Sequence, residues 1–185
     1  MSIKLLLLDF DGTLADTRRA NTLAYISALA EEGYALDERT YEEKYFGMRC
    51  PEFLADIGFE SAEDIARIRN RKIELYPSYF DTVRLNRPLW DFVCDFRRNG
   101  GRAWVVSTGH AANVRNAMRY LGIDGGFDGI MTGDGTERPK PSPDCFLKVM
   151  ETEGVTPAET LIFEDSETGL EAARRSGAPF IRIKL

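Results

Sequence analysis

Residues 3–17 read IKLLLLDFDGTLADT. A leucine-rich run from Ile3 to Leu8 ends on two aspartates, Asp9 and Asp11, one residue apart, with Gly12 and Thr13 behind them. A short, continuous apolar run is what a strand buried on both faces of a parallel sheet requires. Two carboxylates so close repel each other and lose hydration unless a cation is near. The pair is therefore either a solvated turn or a site that holds a metal.

From Thr17 to about Ser78 there are few β-branched residues and no strand-like runs. Ala24, Ala28 and Leu29 can share a helical face, as can Ile65, Ile68 and the apolar stem of Lys72. Gly33, Gly47, Pro51, Gly58 and Pro77 break the stretch into several short helices. After Pro88 a second pattern repeats. Helices are expected at 89–98, 111–121, 143–153 (with Ser142 as N-cap) and 167–176, and strands at 103–106, 127–131, 160–163 and 180–183. Strands alternating with helices predict an α/β fold with a parallel sheet covered on both faces. The helical stretch is too long for a plain loop, so it reads as an insertion. The expected division is a core of 1–15 with 88–185, and a helical cap, 16–87, over the sheet edge where ligands bind.

A chain of 185 residues suits one core plus a small insertion. Its formal net charge of −6 argues against non-specific nucleic-acid binding. No apolar stretch approaches the roughly 20 residues needed to span a bilayer. Cys50, Cys94 and Cys145 are scattered in no metal-binding spacing, as expected of a reduced, cytoplasmic protein. The single histidine, His110, argues against a zinc site. A monomer without nucleic-acid or membrane partners is expected.

Ligands of an open α/β sheet bind at the carboxyl ends of its strands. The first strand delivers Asp9, Asp11 and Thr13 there; the second delivers Ser107, Thr108 and Gly109. The third leads through Thr132-Gly133-Asp134 to a loop carrying Lys140, and the fourth ends in Glu164 and Asp165. This set suits phosphoryl transfer to water. A carboxylate can attack phosphorus, and a second carboxyl can protonate the leaving alcohol and then deprotonate water. Mg²⁺, a hard cation that binds oxygen, would let a carboxylate approach a phosphate dianion. Ser107 and the N–H groups of Thr108 and Gly109 can cradle phosphate oxygens at a helix start. Lys140 offsets the crowd of acids.

The stretches DFDGT (9–13), VVSTG (105–109), KPSPDCF (140–146) and FEDSETGLEAARRSGA (163–178) resemble, in order, the four motifs of the haloacid dehalogenase-like superfamily. The nearest likeness is to its beta-phosphoglucomutase-like and small-molecule phosphatase branch. The resemblance implies a Rossmann-like core with a helical cap. It implies Asp9 as nucleophile and Asp11 as general acid/base. Asp9, Asp11 (through its carbonyl) and Asp165 would be Mg²⁺ ligands, with Glu164 assisting; Thr13, Ser107, Thr108, Gly109 and Lys140 would bind phosphate. Asp11 favours phosphate chemistry, because the dehalogenases lack an acid there. Asn21 stands where the sugar-phosphate mutases usually carry histidine. The expectation is a Mg²⁺-dependent phosphatase of a small phosphorylated metabolite, such as a sugar phosphate; the alternatives are a phosphomutase and a non-catalytic phosphate-binding protein. Phe46-Gly47-Met48-Arg49 resembles the family's specificity loop, with Arg49 placed to grip an anionic group of the substrate. Arg67, Arg69, Arg71 and Lys72 read as the solvated face of a cap helix. Trp90, Trp104 and Cys145 read as packing residues.

Overall fold

Four leucines of the opening run form β1 (Leu5–Leu8) and are wholly buried. The computed structural model describes residues 2–185. After β1 come β2 (Ala15–Asp16), β3 (Arg84–Leu85), β4 (Arg102–Val106), β5 (Gly129–Met131), β6 (Thr160–Glu164) and β7 (Phe180–Arg182). Five of these make one parallel sheet in the order β5-β4-β1-β6-β7. β1 lies in the middle, in register with Arg102–Val105 on one side and Thr160–Phe163 on the other. Side chains alternate along a strand. Leu5 and Leu7 accordingly share a core with Val106, Ile162, Phe146, Val149 and Ala172. The fold is α/β, as the alternation implies.

The chain divides into two compact units. One runs to Asp16 and resumes at Arg84; the other is Thr17–Val83. The junction is an antiparallel ribbon of β2 and β3, pairing Ala15 with Leu85 and Asp16 with Arg84. Two-residue strands carry no readable pattern, so this ribbon has no signal in the sequence.

The helical unit contains α1 (Arg18–Glu31), α2 (Glu38–Thr40), which runs into a π-turn at Tyr41–Tyr45, then α3 (Cys50–Asp56) and α4 (Ala62–Leu75). Its core is aromatic: Tyr41, Tyr45, Phe53, Leu54 and Ile68 pack with Ala28 and Leu29. Phe53 meets Tyr25 and Tyr41 edge-on, at centroid distances of 5.2 and 5.4 Å. Arg67 and Arg71 do lie at the surface, paired with Glu32 and Glu31. Lys72 does not; it is only 3% exposed. Its ammonium lies over the rings of Tyr76 and Tyr25, and those faces accept a cation as a solvated face would not.

The sheet unit carries α5 (Arg87–Arg98), α6 (Ala111–Leu121), α7 (Asp144–Glu153) and α8 (Glu167–Ser176). Most boundaries fall within one or two residues of expectation, and three of the differences have a visible cause. α5 begins at Arg87, because Asn86 caps it through the Leu89 N–H and Pro88 in the first turn has no N–H to lose. β5 begins at Gly129, because the Asp128 side chain takes the Ala103 N–H at 2.8 Å where a strand carbonyl would. Ser142 does not cap α7. Its hydroxyl donates to Asp144, and Pro143, already at φ −75°, stands at the helix start.

Candidate active site

The strand ends meet around one ammonium group. Lys140 Nζ donates to Asp9 Oδ1 at 2.6 Å, to Glu164 Oε1 at 2.5 Å and to the Val106 carbonyl at 3.0 Å. These acceptors close β1, β6 and β4, three neighbouring strands, and they use all three ammonium donors. All three charged side chains are buried. Burial and the nearby carboxylates of Glu164 and Asp11 push the Asp9 carboxyl well above the usual range, against the pull of Lys140. Burial works to lower Lys140, but the carboxylates of Asp9 and Glu164 outweigh it and hold the ammonium charged.

Glu164 has both oxygens engaged. Oε1 takes Lys140, while Oε2 accepts from the Ser166 N–H at 2.8 Å and the Ser166 hydroxyl at 3.0 Å. Ser166 in turn caps α8 by accepting from the Gly169 N–H. A side chain at position 169 would collide with the Glu164 carboxyl, so the glycine is required there.

Asp165 points at the opening turn. Its Oδ1 accepts from the Thr13 hydroxyl at 2.9 Å, and burial, then Glu164, raise its pKa. Gly12, at φ 88°, lets the chain turn and leaves room for that carboxylate, which any Cβ would strike. Asn86 secures the turn from behind by donating to the Thr13 carbonyl at 3.0 Å. The Asp11 carboxylate reaches the Ser107–Gly109 turn: a Cβ on Gly109 would lie 3.4 Å from Asp11 Oδ2 and 3.1 Å from Ser107 Oγ. Ser107 is buried and accepts from the Gly109 N–H at 2.9 Å, while Thr108 is exposed. His110 caps α6, its Nδ1 accepting from the Ala112 N–H, and Asp134 takes the Ala111 N–H at 3.0 Å.

Asp9, Asp11, Thr13, Ser107, Gly109, Glu164 and Asp165 thus lie at or just beyond the ends of adjoining strands of one unit, and Lys140 reaches them from the loop between β5 and α7. Arg49 belongs to the helical unit. It stands at the start of α3, half exposed, with its Nη1 3.4 Å from Glu52. Reasoning from sequence did not single out Gly169, Asn86 or the Val106 carbonyl, whose parts come from packing and leave no mark of residue type.

The donors fit a hard divalent cation. They are all oxygens, and four carboxyl groups face one lysine. Among the described residues no group of three or more His, Cys, Asp and Glu side chains is arranged for a metal, and Glu164 is already spent on Lys140 and Ser166. What remains is one or two carboxylates, the sparse protein share that Mg²⁺ accepts.

Known proteins share this architecture. The family model described as haloacid dehalogenase-like hydrolase matches residues 6–183. The chain belongs to the haloacid dehalogenase-like hydrolases, in their small-molecule phosphatase branch. It is 27% identical over 183 residues to the fructose-1-phosphate phosphatase YqaB of Escherichia coli, covering 97% of this chain and 96% of that one. The crystal structure of CbbY from Rhodobacter sphaeroides in complex with phosphate is similar at a TM-score of 0.89 and 28% identity, over 99% of this chain and 87% of that one. A variant of that protein in complex with xylulose-(1,5)bisphosphate is similar at 0.88, with the same identity and coverage.

Proposed function

We propose that the chain hydrolyses a small phosphorylated metabolite by way of a phosphorylated Asp9. The observation that carries this reading is the triple engagement of Lys140. It holds Asp9 Oδ1 still and pulls against the rise that burial imposes on the Asp9 carboxyl, which leaves Oδ2 to attack phosphorus. The P–O bond to the leaving group breaks as the Asp9–phosphorus bond forms. Asp11, beside the Ser107–Gly109 turn, gives its proton to the departing alcohol. It then takes a proton from the water that cleaves the acyl-phosphate. Ser107, Thr108 and Gly109 cradle the phosphate oxygens, with Thr13 and Lys140 alongside. Glu164 positions Lys140. Asp9, the Asp11 carbonyl and Asp165 would hold Mg²⁺, which supplies neutralisation of charge between carboxylate and phosphate.

The helical unit is the source of selectivity for the leaving portion, in the manner of a cap. Arg49 is available there to an anionic group. The CbbY complex with a bisphosphate, and the name of the YqaB relative, support sugar phosphates as the substrate class. Asn21 supports hydrolysis over phosphomutase chemistry. Its amide bonds Thr17 and accepts from Lys72 at 2.6 Å, and an amide cannot carry a proton as an imidazole can.

The test is hydrolysis of 4-nitrophenyl phosphate with and without Mg²⁺. Turnover that needs the metal, and an Asp165→Asn variant that needs much more of it with little change in KM, is expected. Turnover indifferent to chelation, or none at all, would overturn the reading.

A further inference from the structure

β7 closes one side of the sheet, and its outer edge pairs with no strand among the described residues. The Pro179 carbonyl accepts from the Ile162 N–H, and the Ile183 N–H donates to the Glu164 carbonyl, so both groups face β6. Residues of a strand face its two neighbours by turns, so the N–H and C=O of Phe180 and Arg182 point outward. An open edge of this kind is a template for another strand. Apolar surface lies beside it. Ile181 is 44% exposed, and Phe92 of α5 is 45% exposed. Phe92 meets Phe163, the register partner of Ile181, at a centroid distance of 5.9 Å. Register partners share a sheet face, so Ile181, Phe163 and Phe92 line one strip next to the edge.

Charge is laid out along the same edge. On α8, which packs on β7, Glu167 and Glu171 occupy the first half, and Arg174 and Arg175 the second. Glu167 accepts from Arg182 at 2.6 Å, at the end of β7, and Arg174 lies 6.0 Å from the ring of Phe180 at its start. Charged side chains ordinarily discourage edge pairing. Here they favour one form of it. A two-fold axis reverses the direction of the second copy, so the acidic half of one α8 comes to the basic half of the other.

We propose that β7 pairs antiparallel with β7 of a second copy of this chain, about a two-fold axis at Ile181. In that register Phe180 stands opposite the partner's Arg182, and the two exchange both main-chain hydrogen bonds. Ile181 meets the partner's Ile181 at the axis, where the strips bearing Phe92 join. The partner's Arg182 reaches the Phe180 ring, as Arg174 already does, and Arg174 comes within reach of the partner's Glu167. Every contact off the axis occurs twice, as a two-fold interface requires. None of these residues belongs to the candidate active site, so the pairing stands or falls apart from the phosphatase reading.

Sedimentation velocity on the full chain across the micromolar range tests this. The parent is expected to be a dimer. Ile181→Lys sets two like charges face to face at the axis and is expected to weaken the dimer about tenfold or more. Its melting curve shows whether the fold is kept, and variants of the exposed charges carry the test if it is not. Glu167→Lys and Arg174→Glu are each expected to weaken the dimer, and the two together to restore it, because the exchange keeps opposite signs across the axis. A chain that stays a monomer overturns the proposal and leaves the edge to an extended segment of another protein. A dimer that survives a folded Ile181→Lys, that is indifferent to either charge change, or that the double variant does not rescue overturns this edge as the interface.

Discussion

Asp9, Lys140 and Glu164 of the sheet unit are charged groups buried against one another. The helical unit keeps its ion pairs at the surface, with Arg67 on Glu32 and Asp64, Arg71 on Glu31 and Glu74, and Lys44 on Asp56. Its interior is filled by aromatic rings instead. Desolvating a charge is costly, and a buried pair rarely stabilises more than apolar packing would. The sheet unit bears that cost at Asp9, the residue proposed above as nucleophile. The helical unit needs only a stable frame, and rings meeting edge-on provide one without polar obligations. Lys72, buried over Tyr76 and Tyr25, is its exception, and Arg69 lies beside it.

Asp9→Asn tests the sheet side of this contrast most severely. Turnover should fall by about a thousandfold or more while the melting temperature holds or rises, because the proposed nucleophile is lost and a buried carboxyl with it. Hydrolysis near the parent rate would remove Asp9 from the reaction. Lys140→Met should cost about 3–5 kcal/mol of stability, since it leaves buried carboxylates without their cation. If chemical denaturation shows less than about 1 kcal/mol, the buried charges are not held by each other.

On the helical side, Phe53→Ala should cost about 3–4 kcal/mol by opening a cavity among Tyr25, Tyr41 and Tyr45. A small effect in a urea titration would mean that the surface pairs, not the rings, hold this unit. The smallest effect belongs to a partly exposed pair in the sheet unit. Lys4, with the Thr156 N–H and hydroxyl, draws Glu159 down from its ordinary 4.5 to about 2. A carboxyl lowered in the folded state stabilises above its ordinary pKa, and that contribution is lost as pH falls towards the lowered one. Glu159→Gln should therefore flatten the acid limb of stability between pH 4.5 and about 2 and change little at neutral pH. An acid limb identical to the parent's would show that the pair contributes nothing.

The α/β class and the order of elements were open to reading because β1 is buried on both faces and so needs apolar residues throughout. The ends of α6 and α8 were open to it as well. Gly122 and Gly177 adopt the left-handed conformation that stops a helix and that other residues resist. Candidate site residues could be picked out because only certain side chains can attack, protonate or neutralise a phosphate, and they fall where strands end.

Residue order could not show what each group touches. The resemblance gave Glu164 an assisting part at the metal; what its oxygens touch, Lys140 and Ser166 in the space that Gly169 leaves open, no sequence reading supplied. Arg67, Arg69, Arg71 and Lys72 read alike in the sequence. Folding gave the first and third carboxylate partners, buried Lys72 over two rings, and left the Nε of Arg69 buried without an acceptor among the described residues. Side-chain type follows from local chemistry, which a sequence spells out. Partnership depends on which atoms meet across 20 to 150 residues of chain, and only packing in three dimensions decides that.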